Sequence, residues 1–135
     1  MTVVVDASAA VEIALGNDFA PAFQEVLNEA DVVLAPDTFP AEITNVFWKY
    51  GYHSNLAADK CQRGIAYCLD LIDDYITTQD LCREVFSESL RLKHAAYDIF
   101  YLVVARRNDA VVLTRDKKMI EAAKTLGVAV VGGQK

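Results

Sequence analysis

The sequence predicts an α/β fold in which a parallel sheet carries helices on both faces. Short runs of β-branched and other apolar residues alternate with longer segments of helical periodicity along the whole chain. The first run, Val3-Val4-Val5, has the composition of a strand buried on both faces, and it stops at Asp6, where small helix-forming residues begin. The 135 residues suit one domain, 1–135, and a hydrophobic content of 53% excludes disorder.

Turn and cap residues delimit the elements predicted for the N-terminal half. Gly16-Asn17 ends the first helix, and Pro36 stops the second strand. Asp37 or Thr38 is the expected cap of a third helix, whose first turn contains Pro40. The elements predicted here are a strand over 2–6, helices over 8–16 and 19–30, a strand over 31–35 and a helix from about 38 to 50.

The C-terminal half contains one long segment that is almost entirely apolar. The run from Ile99 to Ala105 suits either a buried strand or a buried helix, but the length of the segment and the polar Arg106-Arg107-Asn108 that closes it favour a helix. The elements predicted in this half are helices over 56–72, 79–93, 95–108 and 116–126, strands over 75–78, 110–114 and 128–131, and a tail over 132–135.

Composition and charge exclude several classes of protein. No apolar run reaches the roughly 18 residues of a membrane span, and no basic region precedes the first apolar run, so we expect a cytoplasmic protein without a signal peptide. The net charge of −6 argues against nucleic-acid binding through bulk charge, although a local basic rim remains compatible with it. The odd number of cysteines, Cys61, Cys68 and Cys82, predicts free thiols in the core.

Four acidic residues interrupt junctions between apolar strands and helices. Asp6 and Asp116 follow predicted strands, Glu42 lies in the first turns of the third helix, and Asp98 precedes the apolar run of the sixth. Because the carboxyl ends of parallel strands meet at one edge of the sheet, we expect these acids to lie close together. Capping alone explains Asp6 or Asp116 equally well, and Glu42 suits a first helical turn by its charge.

A cluster of carboxylates is costly unless a cation offsets the repulsion. Carboxylate oxygens are the ligands that Mg²⁺ or Mn²⁺ prefers, and the absence of histidine from the set argues against zinc. Such a metal activates water and stabilises charge on a phosphate during hydrolysis. The pattern therefore predicts a metal-dependent site at the carboxyl edge of the sheet.

The ordered set of motifs resembles the PIN-domain ribonucleases, and within them the VapC toxins of toxin–antitoxin modules. The matching segments are Val5-Asp6-Ala7-Ser8, Pro40-Ala41-Glu42-Ile43, Tyr97-Asp98 and Leu113-Thr114-Arg115-Asp116. The resemblance implies a three-layer α/β/α fold with a five-stranded parallel sheet in the order 3-2-1-4-5, and a Mg²⁺- or Mn²⁺-dependent endoribonuclease. It also implies the metal-site acids Asp6, Glu42, Asp98 and Asp116, supported by the hydroxyl groups of Ser8 and Thr114.

Polar residues near these acids are candidate RNA contacts. Asn45 and Lys49 follow Glu42 by three and seven positions, so they share one helical stripe with it. Around Asp116 the sequence places further cations at the presumed rim of the site, namely Arg115, Lys117 and Lys118. An ordinary solvated surface explains either group about as well.

The resemblance also bears on partners. Together with the aromatic residues Tyr50, Tyr52 and Tyr67, it predicts a homodimer, and it implies a cognate antitoxin that inserts a cationic side chain into the acidic site. The alternative is a catalytically silent PIN-fold subunit that binds RNA or protein. The complete set of four acids argues against this alternative, because a site without function would lose its costly charges.

Overall fold

A five-stranded parallel sheet forms the centre of the computed structural model, which describes residues 1–132. The strands are β1 (Thr2–Val5), β2 (Val32–Pro36), β3 (Asp74–Ile76), β4 (Val111–Thr114) and β5 (Val130–Gly132). The helices are α1 (Ala7–Leu15), α2 (Ala20–Asn28), α3 (Phe39–His53), α4 (Ala58–Asp70), α5 (Cys82–Leu92), α6 (Ala96–Asn108) and α7 (Lys117–Leu126), with a 3₁₀ helix over Thr78–Leu81. Most of the predicted tail, residues 133–135, lies outside the described residues.

The strand order is β3-β2-β1-β4-β5, which confirms the predicted three-layer α/β/α arrangement. β1 lies at the centre because its valines are apolar on both faces: Val3, Val4 and Val5 are completely buried. Val3 is in register with Val33 of β2 on one side and with Val111 of β4 on the other. The ends of β1 and β4 are therefore neighbours, and this register places Asp6 and Asp116 at the same edge.

The all-apolar segment forms a helix, as its length predicted. α6 buries residues around most of its circumference, among them Ile99, Leu102 and Val103, and it packs against β1, β2 and β4. A helix this apolar needs cover on all sides. The predicted glycine ends of α1 and α7 are also confirmed, since Gly16 and Gly127 adopt left-handed backbone conformations with φ of 65° and 72°.

Several predicted boundaries were wrong for identifiable reasons. Pro36 belongs to β2 instead of stopping it, because it occupies the last position and the following Asp37 N–H donates to Ile76 at 2.9 Å. Neither expected residue caps α3 with its side chain. Thr38 makes no capping hydrogen bond, and the Asp37 carboxylate accepts one from the Thr78 N–H instead. β3 accordingly ends at Ile76 and does not extend to residue 78.

Two further expectations concern free core cysteines and membrane-spanning segments. All three cysteines are free thiols, but only Cys68 is buried in the core; Cys61 is partly buried and Cys82 is exposed, so the core assignment was wrong for Cys82. Cys82 lies in the first turn of α5, on the side facing solvent. Within residues 1–132 no helix has the length and apolarity needed to cross a bilayer.

The contact between α3 and α4 depends on a glycine. A Cβ atom added at Gly64 of α4 would lie 2.5 Å from two ring carbons of Phe47 on α3. Phe47 is 1% exposed, so its ring has little room to move away. At Gly51 of α3, by contrast, an added Cβ would make an ordinary contact of 3.5 Å with the Cys61 sulfur.

We expect Gly64→Ala to lower the free energy of unfolding by about 1–2 kcal/mol, because overpacking outweighs the gain in helix propensity. Gly51→Ala is the matched control and should leave stability unchanged or raise it by up to about 1 kcal/mol. Urea denaturation of the two variants and the wild type measures the difference. Equal stability of the two variants would show that the helices do not depend on close approach at Gly64.

Candidate functional site

One cleft of about 640 Å³ opens at the carboxyl edge of the central strands and is lined by all four predicted acids. β1 ends at Asp6, β4 is followed by Asp116, and α3 and α6 contribute Glu42 and Asp98 from their first turns. The structure therefore brings together acids that are up to 110 positions apart in the chain.

Asp6 is the most buried of the four, with 3% of its surface exposed. One carboxylate oxygen accepts hydrogen bonds from the Ala9 N–H at 2.8 Å and from the Ser8 hydroxyl at 2.7 Å, and the other accepts one from the Thr114 hydroxyl. Asp6 thus caps α1 and also faces the cleft, so the two interpretations of this residue are compatible. Burial raises the pKa of Asp6 to about 7 and the charge of Asp98 adds to this, while the three hydrogen bonds oppose it.

The hydroxyl groups of Ser8 and Thr114 connect the two strand ends. Thr114 is fully buried, and its oxygen accepts a hydrogen bond from the Asp116 N–H at 2.9 Å. The Ser8 oxygen accepts one from the Arg115 N–H at 2.8 Å. Both hydroxyl groups also donate to Asp6, so they hold the buried carboxylate against the loop that carries Asp116.

Glu42 is partly buried beside Tyr101, whose hydroxyl group donates to one carboxylate oxygen at 3.2 Å. The other oxygen, Oε2, is buried and has no hydrogen-bond partner among the described residues. Burial raises the pKa of Glu42 and the charge of Asp98 raises it further, while the nearby hydroxyl groups of Thr38 and Tyr101 oppose this. The pKa of the Tyr101 phenol is also raised, first by burial and then by the charges of Glu42, Asp6 and Asp98. Three of the four acids therefore interact electrostatically around one phenol.

The two remaining acids each have a hydrogen-bond partner close in the chain. The Oδ2 atom of Asp98 lies 2.8 Å from Nε2 of His94, within hydrogen-bond distance. Asp116 caps α7 by accepting hydrogen bonds from the Lys118 and Met119 N–H groups at 2.9 and 3.3 Å. The capping interpretation of Asp116 is thus confirmed, and it coexists with a position on the cleft wall.

The candidate RNA contacts divide into two groups. Arg115 and Lys49 line the cleft with the acids. The others are exposed and lie outside the cleft lining, namely Asn45, Lys117 and Lys118. The shared helical stripe placed Lys49 correctly, because seven residues correspond to about two helical turns from Glu42.

Sequence reasoning missed three residues of the site. One is His94, which contacts Asp98. Another is Glu12, which lines the cleft and accepts a hydrogen bond from the Phe19 N–H at 2.8 Å. The third is Tyr101, which lay within the apolar run and donates to Glu42. Helical spacing gave no signal for the contact between His94 and Asp98, because His94 precedes α6, which begins at Ala96.

The chemistry of the cleft fits a divalent metal ion. Its anionic donors are carboxylate oxygens, the set that Mg²⁺ and Mn²⁺ prefer, and a buried Glu42 oxygen lacks a partner. No three histidine, cysteine, aspartate or glutamate side chains within residues 1–132 form a ready-made ligand cluster.

The strand order and the acidic cleft at its carboxyl edge together define an α/β/α domain of the PIN-like class. The model of the PIN domain family matches residues 3–125, and the chain belongs to that family, whose members are generally metal-dependent nucleases. The crystal structure of PAE2754 from Pyrobaculum aerophilum is similar in fold, with a TM-score of 0.74 and 20% sequence identity over 97% of this chain and 84% of the other. A search of curated proteins finds no match.

Proposed function

We propose that this protein is an endoribonuclease that hydrolyses RNA phosphodiester bonds with Mg²⁺ or Mn²⁺. The observation that carries the proposal is the convergence of Asp6, Glu42, Asp98 and Asp116 on one cleft in a chain of the PIN family. Asp6, Asp98 and Asp116 would hold the metal, with Glu42 beside it or bonded to its waters. When bound, the ion supplies an activated water and stabilises charge on the phosphate.

The side chains of the cleft perform the remaining tasks. Ser8 and Thr114 orient the Asp6 carboxylate, and His94 orients that of Asp98, as neighbours of metal ligands usually do. The proposal requires Asp98 or Asp116 to turn further into the cleft than its present hydrogen bonds place it. The unpartnered Oε2 of Glu42 is available to a metal ion or to a water molecule.

Cations in the cleft support a nucleic-acid substrate despite the acidic chain. Lys49 and Arg115 lie on the same walls as the four acids and would meet the phosphates on either side of the bond that is cut. A catalytically silent binding subunit is the alternative. It is less favoured because burying Asp6, with its pKa raised to about 7, costs stability that a metal ion would restore.

The toxin role is a further part of the proposal. We propose that the chain is the cytoplasmic toxin of a VapBC-type pair, that it forms a homodimer, and that a cognate antitoxin silences it. The resemblance of the motifs supports this role, and so does an exposed aromatic stack on α3: Trp48 and Tyr52 are parallel at 5.1 Å and are 54% and 69% exposed.

The toxin role predicts that synthesis of the protein stops bacterial growth and that co-expression of the neighbouring reading frame restores it. The restored cells should yield a stable complex of the two proteins, and the isolated chain should show a dimer mass by light scattering. Growth arrest that persists despite co-expression would contradict the antitoxin, and a monomer mass at micromolar concentration would contradict the dimer.

The nuclease proposal predicts that the wild type cuts single-stranded RNA with Mg²⁺ or Mn²⁺ but not with EDTA. Asp6→Asn should lower the rate at least about 100-fold, because a metal ligand is lost. Its stability in EDTA should not fall, because asparagine caps a helix about as well and the buried charge is removed. Gel analysis of labelled RNA and thermal melts measure the two effects.

Asp70→Asn is the matched control for this experiment, since it makes the same chemical change at an exposed position of α4 outside the cleft. It should cut RNA as fast as the wild type. Equal cleavage by Asp6→Asn and Asp70→Asn would reject Asp6 as a metal ligand. A wild type that cuts no RNA with either ion would favour the silent binding subunit.

A further inference from the structure

Arg115 is held at the rim of the cleft on two sides. Its guanidinium carbon lies 4.7 Å from the ring centre of Phe19, and its Nε lies 3.8 Å from the Glu12 carboxylate. Glu12 is itself fixed, because its other oxygen accepts a hydrogen bond from the Phe19 N–H at 2.8 Å. The guanidinium is therefore oriented before any ligand arrives, and only 19% of the side chain is exposed.

One nitrogen of this guanidinium, NH1, is buried and has no hydrogen-bond partner among the described residues. A buried charged donor without an acceptor is costly, so its persistence points to an acceptor that arrives with a ligand. The distance of 3.8 Å to Glu12 exceeds the roughly 2.7–2.9 Å of a charge-assisted hydrogen bond. Glu12 thus orients Arg115 without satisfying it.

The position of Arg115 identifies the acceptor as an anion. The residue lines the same cleft as the four acids, and its N–H donates to Ser8, which in turn donates to Asp6. A phosphate that lies against a metal ion held by the acids would have its remaining oxygens free for a planar donor. By contrast, Lys117 and Lys118 are exposed and lie outside the cleft lining.

We propose that Arg115 binds a non-bridging phosphate oxygen of the RNA strand in the cleft, and that Phe19 and Glu12 position it for this contact. The substrate in this inference rests on the proposed nuclease function. The contact is to the backbone and is therefore independent of base identity. Arg115 fixes the strand relative to the acids, and Lys49 provides a second positive charge in the cleft lining.

RNA binding tests this inference without relying on cleavage. Fluorescence anisotropy of a labelled single-stranded RNA is measured with the wild type as parent in Ca²⁺, which binds carboxylate oxygens as Mg²⁺ does, and gels of the same samples check that the RNA stays intact. Adding Arg115→Gln should weaken binding roughly tenfold, because a charge-assisted hydrogen bond is lost. The slope of log affinity against log salt should become smaller by about 0.7, since one phosphate contact on a single strand disappears.

Two further variants distinguish loss of the phosphate contact from loss of the positive charge and from a folding defect. Arg115→Lys keeps the charge, so it should retain the salt slope while losing part of the affinity. Arg83→Gln removes an exposed arginine of α5 outside the cleft and should match the parent in both readouts. If Arg115→Gln fails to fold, the RNA affinity of Arg115→Lys decides alone: an affinity below that of the parent supports the inference, and an equal affinity overturns it.

An Arg115 variant with the affinity and salt slope of the parent would overturn the inference, and so would a parent that binds no RNA. Failure of the nuclease proposal is separate: the wild type would then bind RNA through Arg115 but would not cut it. Loss of binding by Arg115→Gln with a preserved salt slope would also overturn the phosphate contact, because it would indicate a structural defect.

Discussion

The buried carboxylate of Asp6, held between the ends of β1 and β4, determines the geometry of the rest of the site. Its oxygens accept hydrogen bonds from the first turn of α1 and from Thr114 at the end of β4. Removing a charge from water is costly, and these donors offset only part of the cost, because burial still raises the pKa of Asp6 to about 7. The fold thus holds a destabilising group at its centre, as sites under functional constraint commonly do.

Repulsion between the carboxylates around Asp6 connects the fold to the proposed metal chemistry. Asp98 raises the pKa values of both Asp6 and Glu42, so its carboxylate repels the other two in the cleft. A divalent cation would relieve this repulsion, and the oriented guanidinium of Arg115 would then face a phosphate that the cation attracts. The same acids that would repel RNA in the absence of metal would in this way recruit it once a cation is bound.

The features predicted from the sequence are those that depend on local pattern. Runs such as Val3-Val4-Val5 identified the strands, and the acids after the first and fourth runs identified the cleft edge, because parallel strands share their direction. The contact of His94 depends on the turn between α5 and α6, where the left-handed Lys93, with φ of 54°, redirects the chain, and the contacts of Arg115 depend on the connection between β4 and α7. The strand order followed from the family resemblance, since periodicity does not specify which strands are neighbours.

The most direct test of the central claim is a crystal structure of the protein grown with Mn²⁺ and measured at the manganese absorption edge. We expect an anomalous peak in the cleft, within about 2.5 Å of carboxylate oxygens from Asp6 and at least two of the other three acids. Asp98 or Asp116 should have turned toward the ion. A cleft without anomalous density at millimolar Mn²⁺, with all four carboxylates in their present hydrogen bonds, would contradict the claim that this cluster exists to bind a metal.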